Sequence, residues 1–417
     1  MQIKFVLPQS GRMEIYMWFF ALFAAFCAAV FIQYRVYRKK GLESFTYTVH
    51  FSSDEAEQGD YIYLYERLVN NKNLPLPYLR VDTDLPEGLS FILTEKDNDT
   101  GAVSHRSTSR IQSVFAMRGG TEIERRWRIS CDKRGEYELS GAIIVVRDQV
   151  GLLQLTKRLD KEEIGNGHLT VLPHITDIVN HYSSSMYSCG DLLSNHSLTT
   201  DALRLCGTRE YSIYDPMSKI NWMSTASHGK LMVNIEEKNT RTNFSVILSM
   251  SSRSVERIAD KVSDEAALER QISVCAALFD MMSVQDIPID FYVNTPSNPY
   301  LESYGMKCVD EGGKSGILKS PVFCGKRQLA DALRILSAIQ PEISIPTEKL
   351  IDSVLSNTDL YRSSRYIVMV CAYIDERMIN FHALLKREGI NVIFYVTTTR
   401  RDTSIYPEDI ELYYKTY

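Results

Sequence analysis

Residues 214–233, YDPMSKINWMSTASHGKLMV, bring together the residue types most able to do chemistry in this sequence. The stretch holds an acid, a lysine, a tryptophan and an imidazole, but not at the spacing of a known catalytic motif. The chain has neither H-E-x-x-H, the zinc motif of metalloproteases, nor G-x-S-x-G, the nucleophile elbow of hydrolases. We therefore expect no enzymatic activity. The alternative, an undetected hydrolase, requires a deep pocket with convergent titratable groups.

The eight cysteines are scattered and form no C-x-x-C pair. This spacing argues against a zinc site and a disulfide framework, and it suits a reducing compartment. Cys371 lies inside an apolar run, so we expect an inert buried thiol rather than a nucleophile. The net charge of −5 gives no electrostatic reason to expect nucleic acid as the main partner.

Residues 15–34 contain no charged side chain and are long enough, as a helix, to cross the hydrocarbon core of a bilayer. A cleaved signal peptide has a shorter apolar region that ends in small residues, so we expect a permanent anchor. Cations are more numerous after the run than before it, which predicts a cytoplasmic body, with residues 1–14 outside the membrane. The cations after the run are Arg35, Arg38, Lys39 and Lys40, and those before it are Lys4 and Arg12.

With 417 residues, the chain is long enough for two or three domains. Residues 44–175 alternate apolar and polar side chains in short runs, which predicts an all-β, immunoglobulin-like sandwich. Within it, the turn at residues 133–135 predicts a hairpin, and residues 142–155 predict a second strand pair. Residues 176–206 are rich in Ser, Thr and Asn, and we interpret them as a polar linker.

Residues 207–417 alternate near-continuous apolar runs with helical patterns, which predicts a Rossmann-like α/β domain with a parallel sheet. The predicted strands are 244–248, 289–293, 366–372 and 390–396, and the predicted helices are 255–282, 327–339, 347–355 and 375–387.

The opening stretch fits a short capped helix that leads into a strand. Asp215 is a good N-cap, and Pro216 fits the first helical position. Gly229 suits the left-handed residue that ends many helices. In this interpretation Ile220 and Trp222 belong to the core.

Residues 207–237 resemble the signature of the domain of unknown function 58 (DUF58) family. That signature has an Arg-x-Tyr, a Gly-Asp pair, an Arg-x-Ile-x-Trp, a Ser-Ala-Arg and a Gly-x-Leu. Lys219 and Ser227 stand where the family has arginine. The residues that keep the pattern are Arg209, Tyr211, Asp215, Ile220, Trp222, Ala226, Gly229 and Leu231.

The resemblance implies a membrane-attached protein with a von Willebrand factor A-like (vWA-like) C-terminal domain. It also implies a MoxR-type AAA+ ATPase as partner in assembly or chaperone-like work. We therefore expect a membrane-anchored, non-catalytic scaffold or adaptor.

An A-domain binds Mg²⁺ through an Asp-x-Ser-x-Ser loop, so the resemblance also raises a metal site. Here Ser249 replaces the aspartate, Ser251 is kept, and Arg253 replaces the last serine. Asp375 could supply a carboxylate, but helix capping explains it as well. We expect a degenerate loop without a metal or other cofactor, and a Mg²⁺-dependent adhesion module is the alternative.

Two interpretations of the polar signature residues remain open. Arg209, Asp215 and Lys219 lie close in sequence to Tyr211 and Trp222. They could form an internal ion-pair and packing cluster. The other interpretation is a docking face, because Trp and Arg are enriched in interface hot spots.

Overall fold

The computed structural model describes residues 9–96, 103–148, 151, 153–165, 167–175, 200–212, 217–238, 243–251, 262, 264–309, 316–356, 364–397 and 411–414. The chain divides into two compact units, Met1–Leu172 and Pro173–Tyr417.

The first unit begins with a long helix, α1 (Gln9–Lys40). Its candidate span, Met17–Lys40, is long and apolar enough to cross a membrane, and its most apolar window is not buried in protein. Trp18 and Phe20 are exposed, as expected for side chains that face lipid. The predicted apolar helix at residues 15–34 is thus confirmed, whereas the side of the membrane on which the body lies stays a prediction.

The rest of the first unit, as far as it is described, is β structure with one short helix. Its elements are β1 (Phe45–Phe51), β2 (Glu55–Glu57), β3 (Tyr61–Asn70), β4 (Leu76–Asp84), β5 (Leu89–Lys96), β6 (Val103–Thr108), β7 (Arg110–Met117), β8 (Thr121–Cys131), β9 (Gly135–Glu138), β10 (Gly141–Arg147), β11 (Gln154–Asp160), α2 (Lys161–Ile164) and β12 (His168–Leu172).

These strands form a β-sandwich. One sheet has the order β1-β3-β8-β5-β6, the facing sheet has the order β11-β10-β4-β7, and a small sheet has the order β2-β12-β9. Alternation along the strands places Leu64 and Leu68 of one sheet in the same core cluster as Val81 and Ile144 of the other. The predicted sandwich is therefore confirmed.

One predicted hairpin is wrong. β8 and β9 flank residues 133–135, but β8 pairs with β3 and β5, whereas β9 pairs with β12. The turn carries the chain from one sheet to another, so the strands on its two sides do not meet. The second predicted pair is confirmed, since β10 and β11 are antiparallel neighbours.

The second unit contains a strand pair and a larger sheet with helices. Its described elements are β13 (Thr200–Glu210), the 3₁₀ turn Met217–Lys219, α3 (Trp222–His228), β14 (Met232–Lys238), β15 (Asn243–Leu248), α4 (Glu265–Val284), β16 (Ile289–Val293), α5 (Pro299–Ser303), β17 (Lys307–Cys308), β18 (Leu318–Lys319), the 3₁₀ turn Lys326–Gln328, α6 (Leu329–Ala338), α7 (Thr347–Ser356), β19 (Ser364–Cys371), α8 (Glu376–Arg387), β20 (Asn391–Val396) and β21 (Glu411–Tyr414).

The larger sheet has the order β17-β18-β16-β15-β19-β20-β21. The five neighbouring strands β16, β15, β19, β20 and β21 pair in parallel. The strand β18 pairs with β16 in the antiparallel direction. Both faces are covered, because Phe279 of α4 packs on Phe291, while Phe381 of α8 shares a cluster with the neighbouring Tyr292. Helices on both faces explain why the strands are apolar throughout.

Two predicted boundaries need correction. β13 begins at Thr200, so the end of the predicted linker, residues 200–206, is a strand. α4 begins at Glu265 with Asp264 as its N-cap, and the predicted helical residues 255–261 lie outside the described residues.

Candidate functional site

The signature segment is built on the β13/β14 pair. The two strands are antiparallel, with Glu210 opposite Met232. Beyond their end, the Tyr211 amide donates to the Leu231 carbonyl oxygen over 2.8 Å. The 3₁₀ turn and α3 lie between the two strands in the chain, so the pair holds both ends of the segment together.

Local capping sets the bounds of α3. The Asn221 side chain accepts from the Ser224 amide over 2.9 Å, and Gly229 closes the helix with a φ of 67°. The predicted stop at Gly229 is confirmed, but the predicted single helix from Asp215 to that stop is wrong, because α3 begins only at Trp222. Ile220 forms a β-bridge with Val233, so it cannot continue a helix from Asp215, which itself lies outside the described residues.

Trp222 does not belong to the core. Its exposed fraction is 69%, that of Met223 is 85%, and that of Met217 is 77%. Three exposed apolar side chains this close in sequence are unusual, because such surface is normally buried or used for binding. We call Met217, Trp222 and Met223 the Trp222 surface.

Hydrogen bonds hold α3 against the strand pair, so the apolar side chains of Trp222 and Met223 are not needed to pack the helix and remain exposed. The Met232 amide donates to Thr225 Oγ1 over 3.0 Å, and the Asn221 amide donates to the Met232 carbonyl oxygen over 2.8 Å. No residue of α3 is buried. The helix is thus held by hydrogen bonds, and the prediction that Trp222 packs inside is wrong for that reason.

The structure does not show whether Arg209, Asp215 and Lys219 form one cluster, because part of this set lies outside the described residues. Arg209 is exposed and Tyr211 is half-buried. Lys219 ends the 3₁₀ turn, and its side chain, like Asp215, lies outside the described residues. The ion-pair cluster of these residues therefore stays a prediction. The observed ion pair is Lys230 with Glu210, at 2.7 Å, and it lowers the pKa of Glu210.

A second candidate site lies where β15 ends, at the predicted metal loop. Ser249 is fully buried, and its hydroxyl lies 2.7 Å from that of Thr347 at the start of α7. Asn294, also fully buried, accepts from the Met250 amide and donates to the Ile345 carbonyl oxygen, both over 2.9 Å. Ser249, which we predicted to replace a metal-binding aspartate, thus forms a neutral hydrogen-bonded pair with Thr347.

Two more buried hydroxyls follow the ends of neighbouring strands, Ser251 after β15 and Thr295 after β16. Ser251 Oγ and Thr295 Oγ1 are buried and make no hydrogen bond to a described residue. Asp375 caps α8 by accepting from the Met378 amide over 2.9 Å, which confirms the capping interpretation. The described residues hold no group of three His, Cys, Asp or Glu side chains that could bind a metal. Arg253 lies outside them, so the prediction of a degenerate loop remains a prediction.

Cys371 is fully buried at the end of β19. Burial raises the pKa of its thiol well above the ordinary value. A thiol that stays protonated is a poor nucleophile, as predicted.

Sequence reasoning missed a buried carboxylate in the parallel sheet. Asp290 on β16 accepts from Ser245 Oγ over 2.5 Å and from the Tyr292 hydroxyl over 3.0 Å, with Lys319 Nζ at 3.7 Å. Burial and this carboxylate raise the pKa of Tyr292. Asp290 is the second residue of the run IDFYV, and its partners Ser245 and Lys319 lie far from it in the sequence, so the run gave no sign of them.

Sequence reasoning also missed a ladder of aromatic and cationic side chains on the outer face of β3 and β8. The Arg128 guanidinium lies 4.1 Å from the Tyr61 ring centre, and that of Arg126 lies 5.3 Å from the Tyr63 ring centre. Tyrosines at every second position of DYIYLYERLVN were the available signal.

No protein-family model matches the chain, and no curated protein matches it. Among solved structures, the CARDB domain of the PF1109 protein from Pyrococcus furiosus is 11% identical, with a TM-score of 0.19; the match covers 31% of this chain and 87% of that one. A non-cellulosomal cohesin from Archaeoglobus fulgidus is 14% identical, also with a TM-score of 0.19, over 33% of this chain and 98% of that one. Likeness at this level assigns neither a family nor an activity.

Proposed function

We propose that this protein is a membrane-anchored, non-catalytic adaptor that binds a protein partner through the Trp222 surface. The single observation that carries the proposal is the 69% exposure of Trp222 on a helix whose ends are both capped. A rigid exposed tryptophan flanked by methionines provides the large apolar contact area typical of binding hot spots.

The partner we propose is a MoxR-type AAA+ ATPase, which the resemblance of residues 207–237 to the DUF58 signature implies. The strand order of the larger sheet, with its antiparallel strand β18, supports the vWA-like assignment of the second unit. The cations that follow the apolar run support a cytoplasmic body anchored through residues 15–34.

The test is direct binding of the purified full-length chain, in detergent, to the MoxR-type ATPase of the same organism. We expect the double variant Trp222→Ala, Met223→Ala to weaken binding by about tenfold or more, since hot-spot residues each contribute about 2 kcal/mol. The matched control is Val322→Ala, Leu384→Ala, whose wild-type side chains are 46% and 47% exposed in the same unit. Equal affinities of the two double variants, or no binding by the wild type, would contradict the proposal.

A second candidate, a Mg²⁺-dependent vWA-like binding module, is favoured by two buried hydroxyls after the ends of β15 and β16. Ser251 Oγ and Thr295 Oγ1 are buried without a described partner, and hydroxyl oxygens are acceptable Mg²⁺ ligands. Against it, the Ser249–Thr347 pair supplies no negative charge. A rise in the melting temperature with millimolar Mg²⁺, absent in Ser251→Ala, would favour this candidate over the adaptor.

A further inference from the structure

The end of α1 has two opposite faces, and one of them is fixed to the sandwich. Gln33, Tyr37 and Gly41 recur at every fourth position, so they form a single stripe. Tyr37 is 3% exposed, and its hydroxyl donates to the Pro75 carbonyl oxygen over 2.8 Å. Gln33 Nε2 donates to Asp148 Oδ2 over 3.5 Å.

The last carbonyl groups of α1 are also held. Lys72 Nζ donates to the Lys40 carbonyl oxygen over 3.0 Å, and it donates to that of Gly41 as well. A Cβ at Gly41 would overlap the Tyr37 carbonyl oxygen and the Leu155 side chain, so only glycine allows this approach. These contacts set the rotation of α1 about its own axis relative to the sandwich.

The opposite stripe is cationic. Phe31, Arg35, Arg38 and Lys39 follow helical spacing on the side away from Tyr37, and the Arg35 guanidinium lies 5.4 Å from the Phe31 ring centre. The three cations are exposed, and none forms an ion pair with a described residue. With Val36 and Lys40 they line an open groove.

We propose that this groove binds the phosphate of an anionic phospholipid headgroup. The inference rests on the proposed membrane anchor, because the groove follows directly after the uncharged residues 15–34 and so lies at headgroup depth. Guanidinium and ammonium groups donate charge-assisted hydrogen bonds to phosphate, and three unpaired cations provide them here. Because contacts with the sandwich already hold the end of α1 in one orientation, lipid binding loses less conformational entropy.

If these cations served only to orient the protein during membrane insertion, their number would matter but the face of the helix that carries them would not. Here the stripe of Gln33, Tyr37 and Gly41 turns Arg35 and Lys39 away from the sandwich, toward the medium. The fixed rotation therefore favours a headgroup site over charge that serves insertion alone.

The test uses the full-length protein in detergent, with phosphatidylglycerol and phosphatidylcholine in equal amounts, and native mass spectrometry counts the lipid retained. We expect the wild type to prefer phosphatidylglycerol. The variant Arg35→Gln, Arg38→Gln, Lys39→Gln should lose about tenfold or more of that preference. The matched control is Arg106→Gln, Arg118→Gln, Arg158→Gln, which removes the same charge from exposed positions on the sandwich and should keep it.

Equal loss in both triple variants, or no preference in the wild type, would overturn the proposal. Inorganic phosphate that binds as well as the lipid would overturn the headgroup as ligand. Alkaline carbonate extraction of membranes separates this outcome from the anchor itself. A wild type that is extracted refutes the anchor, whereas one that stays in the membrane without lipid preference refutes only the headgroup site.

Discussion

The hydroxyl of Ser249 lies 2.7 Å from the hydroxyl of Thr347, at the carboxyl end of the parallel strand β15, where the predicted metal loop begins. Both side chains are buried. The pair links the end of β15 to the start of α7 without a net charge, so its role is structural.

This pair gives a first prediction. Ser249→Ala leaves the Thr347 hydroxyl buried without its partner, which should lower the free energy of unfolding by about 1–3 kcal/mol. Urea unfolding of the full chain in detergent measures the change. Ser356→Ala is the control, because its hydroxyl is exposed and donates to the Asp352 carbonyl oxygen within the same helix. Equal stability of the two variants would show that the pair contributes nothing.

Glu66 gives a prediction on pH. It accepts from the Tyr47 hydroxyl over 3.0 Å and from Trp127 Nε1 over 3.1 Å, and burial raises its pKa. A raised pKa means that the folded protein binds this proton more tightly than the unfolded chain, so stability falls as pH rises from the unfolded pKa through the folded one. Glu66→Gln stays neutral, and we expect its stability relative to the wild type to increase across that window.

The control for Glu66 has the opposite sign. Glu122 is exposed and pairs with Arg67, which lowers the pKa of Glu122. The wild-type ion pair therefore gains strength as pH rises through the carboxylate range, and Glu122→Gln should lose stability relative to the wild type there. Thermal unfolding at a series of pH values measures both variants. Parallel pH profiles for the two would rule out the buried carboxyl as the cause.

Gly229 gives a third prediction. Its φ of 67° lies in the left-handed region, and a Cβ there would meet nothing within 4 Å. Gly229→Ala should therefore lower the free energy of unfolding by about 1 kcal/mol through backbone strain alone. Gly229→Asn should cost less, since asparagine tolerates this conformation. If the Gly229→Ala variant has the same melting temperature as the wild type, residue 229 does not adopt the left-handed conformation that ends α3.

Four strands of the larger sheet, β15, β16, β19 and β20, could be predicted closely from the sequence, whereas the short β17, β18 and β21 were not predicted. The run 289–293 matches β16 to the residue, and 244–248 differs from β15 only at its first residue. Continuous apolar runs of this length have few other interpretations in a chain that alternates them with helical patterns. The pairing partners of the short sandwich strands could not be predicted in the same way. Alternation assigns a face to each residue but not a neighbour, which is why the hairpin at residues 133–135 was wrong.

Trp222 and Glu66 show two complementary limits of prediction from the sequence. Trp222 was assigned to the core on residue type, yet hydrogen bonds rather than apolar packing fix α3. Glu66 could have been found, because it shares the buried alternation of Ile62, Leu64 and Leu68 on β3. Its partners Tyr47 and Trp127 come from neighbouring strands, and only the strand pairing brings them together.

Site-specific photo-crosslinking tests the adaptor proposal most directly. A photoreactive residue replaces Met223, at 85% exposure, in the full-length chain, and the same residue at Leu384 serves as control. With the MoxR-type ATPase of the same organism added, we expect a crosslinked product from position 223 and little from position 384. Crosslinking at 384 but not at 223, or at neither position, would contradict a partner that binds the Trp222 surface.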